Sequence, residues 1–171
     1  MFTRALAASL VGCVLLIAPI AATAADRGPS TPEERKQVIE LIHAWQANPL
    51  GPQAKDQFAT VLKFFADVPD LTVHVCTILD KLPKGDKKDG NTIFGGAFMG
   101  QAAFVIENVE KRPDLPGEYE AGTESALRVY ELLLKANPKD RESYLDDLIQ
   151  RRDNGTLTEF AKERSSAACK N

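Results

Sequence analysis

Asn91-Thr-Ile-Phe-Gly-Gly-Ala-Phe-Met-Gly-Gln-Ala-Ala-Phe-Val-Ile-Glu107 is the most apolar stretch of the chain beyond its first 25 residues. It is helical in length and apolar on nearly every side, and a helix with no polar face belongs in the middle of a protein. The expectation is a buried central helix from Asn91 to Val109 inside an all-α fold. Gly96 and Gly100 lie one turn apart on it, which predicts close packing of a neighbouring helix; a Gly95-Gly96 kink or substrate-facing backbone is the alternative. The same spacing occurs in membrane helices, but Asn91, Gln101 and Glu107 with the short apolar length argue against a membrane span.

Working outward, Pro and Gly punctuate the chain at Asn48-Pro49-Leu50-Gly51-Pro52, Val68-Pro69-Asp70, Leu82 to Gly90, Arg112 to Gly117, Asn137-Pro138 and Asn154-Gly155. Seven segments of helical length result. In the first, Thr31-Pro32-Glu33-Glu34 supplies a cap, a proline for the first helical position and the glutamate of a capping box; Val38, Leu41, Ile42 and Trp45 then mark one helical face. The second opens at Gly51-Pro52 and continues with Phe58, Val61, Leu62 and Phe65 on one face, so the pair predicts a helical hairpin.

The third segment reads two ways. Leu71, Val73, Val75 and Leu79, with β-branched neighbours, alternate like a strand, whereas Leu71, Val75, Ile78, Leu79 and Leu82 fit a helix begun by Asp70. A lone strand has no partner in the chain for its backbone donors, which favours the helix. The fifth segment, Glu118 to Ala136, points Ala126, Tyr130, Leu133 and Leu134 inward. Glu142 to Arg152 follows, with Tyr144, Leu145, Leu148 and Ile149 inward, and a last helix begins at Thr156, where Thr156 and Glu159 match a capping box. Asn154-Gly155 provides the left-handed stop between them, and Asn154-Gly155-Thr156 also fits a glycosylation sequon.

Ala126, Tyr130, Leu133 and Pro138 stand at the spacing of the second helix of a tetratricopeptide repeat, and over about a dozen residues the segment resembles one. Residues 110–117 interrupt the place of that repeat's first helix, and no 34-residue period returns. The resemblance implies stacked antiparallel hairpins, in an orthogonal or repeat-like bundle of six or seven helices, and does not imply membership of the family.

The opening of the chain has the layout of an export signal. Arg4 precedes the apolar run from Ala5 to Ile20, and Ala22-Thr23-Ala24 offers small residues for cleavage before Ala25. A lipoprotein reading through Leu10-Val11-Gly12-Cys13 is disfavoured by the short spacing from Arg4 and by the very apolar new start it would leave. A retained anchor is disfavoured by Pro19 and by the roughly 20 continuous apolar residues a span requires. The expected division is a cleaved leader, 1–25, and a single helical domain, 26–171, which is periplasmic or secreted.

All 24 acidic residues but only 20 of the 21 basic ones fall after residue 25, leaving that part with a formal charge of −4. Its charges are interspersed, with neither a basic face for nucleic acid nor a polybasic patch for anionic lipid. With Cys13 in the leader, Cys76 and Cys169 remain, an even count for an oxidising compartment, and predict one disulfide.

Catalytic signatures are absent. His43 and His74 fall in no metal-ligand spacing, no nucleophile elbow, Walker loop or dinucleotide fingerprint occurs, and Asp86 to Gly90 does not align with a calcium loop. Glu118, Glu120, Glu124, Asp146 and Asp147 read as exposed helix faces rather than a glycosidase pair. No cofactor and no metal are expected. The reading that remains is a non-enzymatic exported binding module that engages a protein segment or an apolar ligand, with Trp45, Phe64, Phe94 and Phe98 as the candidate surface. An inhibitor or immunity protein against an envelope-acting toxin is the alternative, followed by an enzyme of unrecognised family.

Overall fold

Thr31 starts the first helix through purely local chemistry. Its hydroxyl accepts the Glu34 N–H at 3.2 Å while the Glu34 carboxylate accepts the Thr31 N–H at 2.8 Å, so two otherwise orphaned backbone donors are satisfied reciprocally. The computed structural model describes residues 27–75, 89–111 and 114–168, and everything structural below concerns those residues. They form six helices and no strand: α1 (Pro32–Ala47), α2 (Ala54–Asp67), α3 (Gly90–Glu107), α4 (Leu115–Ala136), α5 (Ser143–Asp153) and α6 (Leu157–Ala168).

The apolar stretch that opened the sequence reading is α3, and it is the centre. Ile93, Phe98, Met99, Ala102, Ala103 and Ile106 are buried on several sides of it, against α1 and α2 on one flank and α4 on another. Its most extensive neighbour is α4, and two glycines explain why. A Cβ on Gly96 would stand 2.8 Å from Val129 Cγ2 and 3.2 Å from the Ser125 carbonyl; one on Gly100 would meet the Ala121 carbonyl oxygen and stand 2.6 Å from Ser125 Cβ. The contact is mutual, since a Cβ on Gly122 would stand 3.0 Å from the Ala97 carbonyl. Higher numbers on α3 face lower numbers on α4, so the two run antiparallel.

Helix α1 packs on both α2 and α3, and α5 and α6 pack on α4. Ile42, Val61, Met99, Leu127, Leu145 and Leu148 are sealed from solvent in this core, and each large apolar side chain so buried contributes about 1.5–3 kcal/mol. Phe98 meets Phe58 and Phe65 edge to face, with centroids 5.5 and 6.1 Å away. Gly155, with φ of +72°, makes the left-handed turn between α5 and α6.

Two expectations are corrected here. The helix α4 begins at Leu115, because Asp114 caps it through the Gly117 N–H and Pro116 sits in its first turn, where a proline costs no hydrogen bond. The third segment is not helical from Leu71 to Val75. Asp70 is already committed: its two carboxylate oxygens accept the Ser30 N–H at 2.7 Å and the Ser30 hydroxyl at 2.8 Å. The rest of that segment, with Ile78, Leu79 and Leu82, lies outside the described residues, as do the leader 1–25 with Cys13, the Asp86–Lys88 loop, Cys76 and Cys169.

Candidate functional site

The chemistry that replaces a helix at residues 71–75 builds the first candidate site. Glu118, in the first turn of α4, is 3 % exposed. One of its oxygens accepts the His74 backbone N–H at 2.6 Å, and the other lies 3.0 Å from His74 Nδ1. From α3, the buried Gln101 donates its side-chain N–H to the His74 carbonyl at 3.0 Å. Two buried side chains from two helices thus fix both backbone groups and the ring of one residue. A buried carboxylate is costly unless its oxygens are hydrogen-bonded, and here one residue engages both of them.

The His74 side chain remains 38 % exposed. It lines a cleft of about 310 Å³ together with Leu71, Thr72, Phe104, Val105 and Lys111. The chain's other histidine offers an internal contrast. His43 Nε2 approaches Glu107 at 3.3 Å, but both side chains are more than half exposed, and such surface pairs contribute little.

A second, larger cleft of about 760 Å³ lies where the α1–α2 turn, the beginning of α3 and the end of α4 meet. Trp45, Leu50, Phe58, Gly95 and Leu133 give it apolar walls, with Lys55, Asn91 and Asp140 at polar positions. Leu50, which lines this cleft, is 49 % exposed. Gly95 is part of the lining because a Cβ there would only touch Trp45 and Phe58, at 3.5 and 3.6 Å. The two clefts share no residue.

Comparison with protein-family models, curated proteins and solved structures finds no match. Function therefore rests on what these residues can do.

The four aromatic residues read as a candidate surface are not brought together as one. Trp45, Phe64 and Phe98 are buried, because α1, α2 and α3 enclose them, and Phe64 also carries Arg27 over its ring at 5.4 Å. Phe94 alone is exposed, at 43 %. Trp45, although buried, also lines the larger cleft. Gly96 and Gly100 sit where the spacing placed them, at the α3–α4 contact. Among the described residues, no group of three or more His, Cys, Asp or Glu is placed to hold a metal.

Glu118 is a correction to the reading of exposed acidic faces. Its signal was periodic: Glu118, Gly122, Ser125 and Val129 follow one helical face, and all four are buried. Around the smaller cleft, Asp70, Lys111, Asp114 and Glu118 each have a hydrogen-bond partner on the protein. Burial pushes the Asp70 carboxyl up, but the Ser30 N–H and hydroxyl more than offset this and hold it below the ordinary carboxylate range.

Proposed function

We propose that this chain is an exported helical binding module. In this reading residues 1–25 are a cleaved leader and residues 26–171 form one domain of stacked hairpins, stapled by a Cys76–Cys169 disulfide. The domain engages a protein segment or an apolar ligand in the cell envelope or outside the cell. The observation that carries the reading is the larger cleft. It combines an apolar wall drawn from α1, α2, α3 and α4, a half-exposed leucine, and a polar margin that includes Lys55, Asp89 and Asp140, which supports a site that buries an apolar group and orients it by a few polar ones. The absence of catalytic signatures from the sequence points the same way.

No helix among the described residues is long and apolar enough to cross a membrane. The test is affinity capture from envelope extract of the source cell by the tagged, oxidised protein, beside a Leu50→Lys variant. Leu50 is half-exposed and outside the sealed core, so the variant is expected to fold, which circular dichroism checks, while a charged group replaces an apolar part of the cleft lining. A stoichiometric partner recovered by the parent and lost by the variant supports the reading. A partner recovered equally by both, or none from folded protein, counts against this cleft.

A further inference from the structure

We propose that the smaller cleft is a separate binding site for a neutral small molecule with an apolar body and one hydroxyl donor, of which a phenol is the simplest, and that His74 Nε2 accepts that hydroxyl. The argument begins with which polar atoms remain uncommitted. Asp70 is held by Ser30, one Asp114 oxygen accepts the Gly117 N–H at 3.1 Å, Lys111 Nζ donates to Asn108 Oδ1 at 2.6 Å, and Glu118 is taken up by His74. The charged groups around the cleft already have partners on the protein. Asp70 and Glu118 have both oxygens engaged, whereas Lys111 and the second Asp114 oxygen keep spare hydrogen-bonding capacity, but at exposed positions where water competes for it.

The imidazole differs. A carboxylate only accepts, so the Glu118 oxygen 3.0 Å away places the ring proton on Nδ1. In the neutral ring Nε2 is then an acceptor whose direction is set, because the backbone N–H, the carbonyl and Nδ1 of the same residue are all tied to buried side chains. Leu71, Phe104, Val105 and Val109 supply the apolar walls around it. A cleft of about 310 Å³ is at the small end of ligand sites, which run from about 300 to 1,000 Å³. One fixed acceptor beside the apolar wall of Leu71, Phe104, Val105 and Val109 selects a hydroxyl over its methyl ether, since the ether leaves the acceptor unpaired.

The test is a titration of the purified protein with phenol, anisole, benzoate and benzylamine, followed through the imidazole NMR signals, which also report which ring nitrogen carries the proton. Phenol is expected to bind saturably and at least about tenfold more tightly than anisole, benzoate or benzylamine, a factor of ten being about 1.4 kcal/mol. His74→Asn keeps a side-chain N–H for Glu118 but removes Nε2, and it should lower phenol affinity by about tenfold or more. His43→Asn should leave it unchanged. Thr72→Phe, which puts a bulky ring at an exposed position of the cleft lining, should likewise lower phenol affinity and provides a second variant should His74→Asn melt early. Equal affinity for phenol and anisole, a preference for either ion, no saturable binding, or equal effects of the two histidine variants would overturn the proposal. The larger cleft plays no part in this test, so a failure here leaves the Leu50→Lys experiment standing, and the converse holds.

Discussion

Gly100→Ala should destabilise the protein although alanine is the better helix former. The added Cβ would stand 2.6 Å from Ser125 Cβ and press on the Ala121 carbonyl oxygen, which belongs to the backbone of α4 and cannot swing aside. Carbon atoms in ordinary contact sit about 3.5–4.0 Å apart, so α3 and α4 must separate by roughly 1 Å at their closest point. Overpacking of this kind costs about 1–3 kcal/mol, and the gain in helix propensity returns at most about 1 kcal/mol. A net loss of about 1–2 kcal/mol follows, equivalent to a fall in melting temperature of about 5 °C for a domain of this size. Gly90→Ala is the control, since nothing lies within 4 Å of its Cβ position; it should be neutral or slightly stabilising. Thermal unfolding followed by far-UV circular dichroism reads both variants. A Gly100→Ala protein that melts at or above the parent would refute the close α3–α4 contact.

Cys76→Ser or Cys169→Ser should lower thermal stability while helical content at low temperature persists, because closing a 94-residue loop removes up to about 4 to 5 kcal/mol of denatured-chain entropy; equal melting temperatures with and without reductant would count against the bridge. The Tyr130 hydroxyl accepts the Glu142 N–H at 2.7 Å and donates to Asp146 at 3.0 Å, so Tyr130→Phe should cost about 1–3 kcal/mol by urea unfolding, the penalty for an unsatisfied buried donor. Burial, first, and the Asp146 carboxylate raise the Tyr130 hydroxyl above its usual 10; its contribution to stability is therefore full below pH 10 and is lost as pH rises through the higher folded value. Asp70 and Glu34 have the opposite sign. Their folded values are lowered, so their contribution is present above the ordinary carboxylate range and disappears as pH falls through the folded values, and Asp70→Asn should flatten the acid limb of a stability–pH curve.

What was legible in the sequence was local. Thr31 and Glu34 announce α1 because both halves of the capping box lie within four residues, and α3 is legible because its apolar residues cover every side. The segment after Asp70 was misread because its backbone is satisfied from far away in the chain, by Gln101 and Glu118. Propensity cannot see such partners. The same holds for Phe64 and Phe98, whose burial depends on how many helices gather around them, and for both clefts, which exist only where separate elements meet. Glu118 was the recoverable case, since its position on the Gly122–Ser125–Val129 face marks it as internal despite its charge.

The most direct test of the binding reading uses the chain's single tryptophan, because Trp45 lines the larger cleft. Its emission would be followed during titration with the apolar probe N-phenyl-1-naphthylamine, in the parent and in Leu50→Lys. The account predicts a saturable change at one probe per protein, weakened about tenfold or more when an ammonium group replaces the apolar Leu50 side chain in the lining and must be desolvated on binding. Emission that does not respond, or a response that Leu50→Lys leaves intact, would contradict the assignment of this cleft as the binding site.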